Sequence, residues 1–262
     1  MCITINPCMA RNQKDYFYYK AKDNGYRSRA AYKLQQINKK HNVIKPGDSI
    51  VDLGAAPGGW LQMAKELSGG RVLGVDLQKI APIEGVDTVK GDLTSDRTLE
   101  RIREIIGEHG TDAVICDAAP NLTGNWSLDH GRSINLSQAA LGVAKRLLMP
   151  GGNFVVKVFQ GDMFKEFLDI VKENFVYVRS YTPSASRKQS AEIYVIGKKF
   201  LSTDIKAGNE YDVDILEIGE LGDGITRIGD FVVFVKHAMV GQAVRVRIRE
   251  VHPNFAFADI IE

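Results

Sequence analysis

From Ser49 to Gly197, short runs of β-branched and other apolar residues alternate with amphipathic stretches, and few folds can accommodate that alternation. Strands that each feed a helix pair most readily in parallel. The expected fold class is therefore α/β, a mostly parallel seven-stranded sheet with helices on both faces. The predicted strands are Ser49 to Leu53, Arg71 to Asp76, Asp87 to Lys90, Ala113 to Asp117, Asn153 to Phe159, Val176 to Tyr181 and Glu192 to Ile196. Helices are predicted over Gly58 to Leu67, Asp96 to His109, Arg132 to Met149 and Phe164 to Asn174. The second of these lines up Leu99, Ile102, Ile105 and Ile106, and the third stops at Pro150-Gly151-Gly152. The last strand is reached by a connection too short for a crossover, so it should run antiparallel. That brings Glu192 to the sheet edge where the other strands end.

Beyond Lys198 the pattern changes. A polar segment leads to four strand-like runs without helices, Tyr211 to Glu217, Thr226 to Val235, Ala243 to Val251 and Phe255 to Ile260, with Gly219, Gly222, Gly224, Gly229 and Gly241 between or within them. About five short strands on this scale suit a small all-β, OB-like barrel. Arg245, Arg247 and Arg249 alternate with Val244, Val246 and Ile248, and period two puts the arginines on one face, near Lys236, Phe255 and Phe257. The expected domains are a basic arm and helix at 1–48, a catalytic domain at 49–198, a linker at 199–208 and the barrel at 209–262.

The chain is 44% hydrophobic and 25% charged, ordinary for a soluble protein. No apolar run nears the ~18 residues of a membrane span, and no signal-like segment opens the chain; a cytoplasmic location follows. Met9 reads as an alternative start. Cys2, Cys8 and Cys116 form no C-x-x-C pair, and the five histidines form no ligand-spaced cluster, so neither disulfides nor a metal are expected. The net charge of +2 hides an asymmetry, because residues 1–45 carry ten Lys/Arg against two Asp, a balance of +8. Tyr16, Phe17, Tyr18, Tyr19, Tyr26 and Tyr32 are interleaved with those cations. That combination suits phosphate contact with base stacking, a solvated basic helix being the plainer alternative.

The strand–loop–helix corner Asp52-Leu53-Gly54-Ala55-Ala56-Pro57-Gly58-Gly59-Trp60 has the form of a nucleotide-cofactor loop. Its glycines do not fit G-x-G-x-x-G, which favours S-adenosylmethionine, a ligand without a pyrophosphate, over a dinucleotide; a bare turn remains the alternative. Asp52, Asp76, Asp92 and Asp117 fall at or just beyond four consecutive strand ends, where such sheets bind ligands. Asp76 is placed to accept a ribose diol and Asp92 to reach an adenine amine.

Two lysines stand in improbable places. Lys157 interrupts a central apolar strand, and Lys33, following a Ser28 cap, shares the inward stripe of Ala30, Leu34 and Ile37. With Asp117 and Glu192 they can converge. Beside a sulfonium cofactor such a cluster suits methyl transfer to a weakly acidic hydroxyl, with Lys157 either as base or as a cation stabilising the alkoxide.

The segments Arg27 to Leu34, Asp52 to Trp60, Asp117 to Asn121, Val155 to Gly161 and Ser186 to Tyr194 closely resemble the FtsJ family of ribosomal RNA 2′-O-methyltransferases, a likeness spanning about residues 11–198. The resemblance implies a Rossmann-like class I methyltransferase fold and a catalytic tetrad of Lys33, Asp117, Lys157 and Glu192, with Lys157 as proton acceptor. It further implies cofactor contacts at Gly58, Trp60, Asp76, Asp92 and Asp117, with Arg27, Arg29 and Arg187 joining Arg245, Arg247 and Arg249 as RNA contacts. The implied substrate is a uridine ribose in large-subunit (23S) ribosomal RNA, free or within the ribosomal subunit, with no membrane and no obligate protein partner. The tail resembles a TRAM domain, as in archaeal relatives. Methylation of tRNA or another RNA, a non-catalytic assembly factor, and a disfavoured nicotinamide oxidoreductase are the alternatives.

Overall fold

The computed structural model describes residues 8–107, 109–187, 190–220, 222–229 and 231–261, with side chains from residue 16 onward. The first seven residues, including the Met1 start, and the side chains of Cys8, Met9, Arg11 and Lys14 lie outside this description. The chain runs α1 (Cys8–Asp23), α2 (Ala31–His41), β1 (Ile50–Leu53), α3 (Gly59–Ser68), β2 (Val72–Asp76), β3 (Val86–Lys90), α4 (Asp96–Ile106), β4 (Thr111–Cys116), α5 (Trp126–Leu147), β5 (Leu148–Phe159), α6 (Phe164–Lys172), β6 (Phe175–Tyr181) and β7 (Glu192–Phe200). The tail adds β8 (Glu210–Asp214), β9 (Glu217–Ile218), β10 (Gly224–Ile228), β11 (Phe231–Val235), β12 (Ala243–Val251) and β13 (Phe255–Ile260).

The first sheet has the order β3-β2-β1-β4-β5-β7-β6. Its pairs are parallel from β3 through β5, and β7 runs antiparallel to both β5 and β6. Alternation along each buried strand divides the apolar side chains between two cores. Val51, Leu53, Val114, Val156 and Val158 meet Leu99 and Ile102 of α4, Ile134, Leu141 and Ala144 of α5, and Phe167 of α6. On the other face Ile50, Ile115, Val155 and Ile196 meet Leu34 and Ile37 of α2, and Leu61, Met63 and Ala64 of α3. The functional strand ends therefore lie between two helix layers, as the α/β reading requires.

The second sheet has the order β8-β12-β13-β11-β10-β9. It curls far enough for the Thr226 hydroxyl on β10 to donate to the Asp214 carbonyl on β8 at 2.7 Å, around a small core of Val233, Val235, Val244, Val246, Ile248, Ala256 and Ala258.

Several predicted boundaries move. The run Thr226 to Val235 is a hairpin of β10 and β11, and Tyr211 to Glu217 breaks at Ile215 and Leu216, whose amides bond Gln242 and Ile225. Helix α5 begins six residues before Arg132, because the Asn125 side chain caps it by accepting from the Leu128 amide. Helix α4 ends at Ile106, before Gly107, and β5 takes in Pro150-Gly151-Gly152. Ser28 does not cap α2, whose first turn follows Ala30 without a side-chain cap. No described helix is long and apolar enough to cross a membrane.

Candidate active site

The four tetrad residues come from four separate elements and meet at one point. Lys33 lies on the buried face of α2, Asp117 directly follows β4, Lys157 is in β5 and Glu192 opens β7. The Lys33 ammonium is 2.7 Å from Glu192 Oε1 and 4.0 Å from Asp117 Oδ1, while Lys157 Nζ is 3.0 Å from Asp117 Oδ1 and donates to the Asp117 carbonyl at 2.5 Å. All four are largely withdrawn from water, at 8–16% side-chain exposure. Such charges persist only as a mutually neutralising set. Burial, the largest single influence, pushes the Glu192 carboxyl up, yet the Lys33 ammonium, as charge and as hydrogen-bond donor, together with Ser186 and Lys157 holds the group below the ordinary carboxylate range.

Tyr194, two residues from Glu192 and so on the same face of β7, completes the arrangement. Its hydroxyl donates to Asp117 Oδ1 at 2.6 Å, and burial, reinforced by the neighbouring carboxylates, pushes it well above a free phenol. Sequence reasoning passed over it, although an i, i+2 spacing from Glu192 was the available signal.

Next to the tetrad a cleft of about 1270 Å³ opens at the carboxyl ends of β1, β2 and β4. Its walls include Gly54, Ala56, Asp76, Gln78, Asp92, Asp117 and Asn121. Gly54 has φ +73°, and a Cβ there would collide with that of Ala118, so the loop can take this path only with glycine. Asp76 is held by the Ala56 amide on one oxygen (2.9 Å) and the Gln78 amide on the other (2.7 Å), leaving a lone pair on each for a pair of hydroxyls. Asp92 uses one oxygen for the Thr94 amide and hydroxyl, which hold its carboxyl below the usual range, and keeps the other oxygen available. These acceptors fit a ribose diol and an amine.

The remaining assigned residues are distributed less simply. Gly58 and Trp60 do not line the cleft. Trp60 is buried, donates its indole N–H to the Ala30 carbonyl at 2.8 Å and stacks on Tyr194 with ring centroids 5.8 Å apart. Arg27 reaches the cleft wall, but its guanidinium donates to the carbonyls of Pro57, Ala81 and Pro82, tying the glycine loop to the loop after β2. Arg29 and Arg187 lie close together near Glu192; burial, and then the neighbouring Arg187 charge, lower Arg29 from its ordinary value. On β12 the arginines alternate outward as expected, but Arg245 and Arg247 share Glu210 at 3.3 and 2.7 Å, and Arg249 lies 3.7 Å from Asp259. Of the N-terminal aromatics, Tyr16, Tyr18 and Tyr19 are exposed, whereas Tyr32 is buried and Phe17 and Tyr26 pack beside it.

Asp52 is 1% exposed on the floor of the loop, one residue before the end of β1, and neither oxygen has a partner among the described residues. Burial, together with Asp117 and Asp76 nearby, pushes its carboxyl well up.

A doubly covered, mostly parallel sheet whose strand ends carry a nucleoside-shaped acceptor set beside a charged tetrad defines a Rossmann-like methyltransferase. Comparison with known proteins agrees. Residues 26–200 match the model of the FtsJ-like methyltransferases, and residues 206–261 match the TRAM domain. A relative from Methanosarcina acetivorans named ribosomal RNA large subunit methyltransferase E is 63% identical over 254 residues, covering 97% of this chain and 93% of its own. A protein of the same name from Methanocella arvoryzae is 60% identical, with 97% and 99% covered. A crystal structure of a ribosomal RNA methyltransferase from Plasmodium falciparum superimposes with a TM-score of 0.62 at 29% identity, over 67% of this chain and 98% of that one. The chain belongs to the FtsJ-like methyltransferase family and carries a C-terminal TRAM domain.

Proposed function

We propose that this enzyme methylates the 2′-hydroxyl of a uridine in large-subunit ribosomal RNA, using S-adenosylmethionine. The observation that carries the reading is the convergence of Lys33, Asp117, Lys157 and Glu192 beside a cleft whose free carboxylate oxygens suit a nucleoside. When bound, the cofactor supplies an electrophilic methyl on a sulfonium. The chain's own groups do the rest: Asp76 accepts the ribose diol, Asp92 the adenine amine, and the Asp117 carboxylate and carbonyl aim Lys157 at the acceptor oxygen. Lys157 takes the hydroxyl proton as the methyl arrives in line only as the free amine, its lone pair occupying the one position on Nζ that neither Asp117 Oδ1 nor the Asp117 carbonyl takes. Lys33 is neutralised by Glu192, which leaves the Asp117 carboxylate to stabilise the ammonium that forms on Lys157 as it takes the proton. Alignment of oxygen and methyl in a water-poor site supplies much of the acceleration. Arg29 and Arg187 at the rim and the β12 arginines on the TRAM domain hold the RNA, and the reaction takes place in the cytoplasm.

Transfer of tritiated methyl to large ribosomal subunits, free ribosomal RNA and tRNA tests the substrate, and Lys157→Ala tests the mechanism. The variant should lose methyl transfer and keep its RNA affinity. Wild-type activity in the variant, or a preference for tRNA, overturns the assignment.

A further inference from the structure

At the carboxyl end of β5, beyond Lys157, lies an aromatic surface that the reaction above leaves without a task. Trp126, the first residue of α5, is 51% exposed. Its ring lies within 16° of the plane of the His130 imidazole, centroids 6.0 Å apart, and within 23° of the Phe159 ring at 6.1 Å. Both supports are buried and fixed. His130 Nε2 accepts from the Met163 amide, and Gly161 makes room for the imidazole, since a Cβ there would come within 2.8 Å of it. The Phe159 amide donates to Ser133 Oγ at 3.0 Å. The indole thus lies flat, one face on protein. Leu122 and Leu128, its sequence neighbours, and Met163 are exposed as well.

The location gives this surface its meaning. Phe159 pairs directly with Glu192 across β5 and β7, and it lies two residues beyond Lys157, on the same face and roughly 7 Å along the strand. The Trp126 surface therefore adjoins the tetrad at the carboxyl end of β5. A ribose whose 2′-oxygen meets Lys157 is close enough for its own base or an adjoining one to reach that surface. Every nucleobase has a π-face suited to a flat, supported indole.

We propose that Trp126 is a stacking platform for a nucleobase of the acceptor RNA, at or beside the methylated nucleotide. This rests on the RNA reading above. The chain has two tryptophans, and Trp60 is buried, so solvent-exposed indole emission reports on Trp126. Unmethylated large-subunit ribosomal RNA should quench that emission in the wild type and not in Trp126→Ala. The same variant should lower kcat/KM for this RNA by roughly 5- to 150-fold, the effect of losing one stacked base. Its affinity for S-adenosylmethionine should be unchanged, and Trp126→Phe should recover most of the loss. Unquenched wild-type emission at saturating RNA, wild-type kcat/KM in Trp126→Ala, or a Phe variant as poor as the Ala variant would each overturn the platform. If Trp126→Ala is destabilised, the wild-type quench and the Phe variant still decide. Quenching by RNA without methyl transfer would refute the proposed reaction and sustain the platform.

Discussion

Replacing Lys33 by Met removes one ammonium from the tetrad at nearly constant volume, and its cost follows from the geometry. At 2.7 Å the Lys33–Glu192 attraction is about 6 kcal/mol for an effective dielectric constant near 20, and at 4.0 Å the Lys33–Asp117 attraction is about 4 kcal/mol. Desolvation of both partners offsets much of this, so the measurable quantity is the penalty for stranding a carboxylate at 11% exposure, about 3–5 kcal/mol. Glu192→Gln should cost less, because Asp117 still faces Lys33. Once Lys33 is gone a neutral amide at 192 is better than a carboxylate, so the double variant should be no worse than Lys33→Met alone, with a coupling of about 2–3 kcal/mol.

The pH dependence has a definite sign. Glu192 is depressed in the folded chain, so its stabilisation is present above the unfolded carboxyl value of about 4.3 and lost as pH falls through the folded one. In Lys33→Met burial dominates and the sign reverses. The gap between wild type and variant should be widest near pH 7 and close toward pH 4. Urea unfolding of the four proteins at pH 5, 6 and 7 measures both effects. Additivity within about 0.5 kcal/mol, or a gap independent of pH, would show that Lys33 and Glu192 do not act as a unit.

Two further outcomes are expected. The folded-state carboxyl of Asp52 is raised by burial and by Asp117 and Asp76, so its contribution is full at low pH and lost as pH rises through the raised value. Asp52→Asn should converge on the wild type in thermal unfolding toward pH 4, where the carboxyl is largely protonated in both states, and exceed it by at least about 1–3 kcal/mol at pH 8; a variant weaker at both values would mean that Asp52 is an ionised, partnered group. On the TRAM domain, Glu210→Gln frees Arg245 and Arg247 and should tighten RNA binding and steepen its salt dependence, whereas Arg247→Gln should flatten the slope by about 0.7–0.9. Unchanged slopes in filter binding across 50–200 mM salt would remove β12 from the RNA path.

The sequence was most legible where a residue contradicted its surroundings. A lysine within Val155-Val156-Lys157-Val158 has no place in a two-sided strand unless acids meet it, and Asp117 does so at 3.0 Å. The short link before Glu192 gave the antiparallel direction of β7 for the same kind of reason, since no crossover fits. Arg27 shows the opposite case. Its three carbonyl partners are 30 to 55 residues away in the chain, and no local pattern reveals that its guanidinium is taken up by backbone carbonyls. Glu210 and Asp259 beside the β12 arginines were hidden likewise, because pairing register depends on how β8 and β13 flank that strand.

Trp60 unites these lessons in one side chain. Its position in the glycine loop suggests a ligand contact, yet helical spacing puts Trp60, Leu61, Met63 and Ala64 toward the core. There it touches the frame of both sites at once. It is the second residue of α3, just after the glycine loop, its indole N–H holds the Ala30 carbonyl one residue before α2, and its ring stacks on Tyr194, which grips Asp117. Since α2 carries Lys33 and β7 carries both Glu192 and Tyr194, one buried indole joins the loop to three members of the tetrad. Because a packed core yields little, a displacement of the loop reaches those groups through contacts already at van der Waals distance. The cleft and the charged cluster are thus one mechanical unit, and reversing the single strand β7 is what places two successive inward residues of that unit opposite α2 and β4.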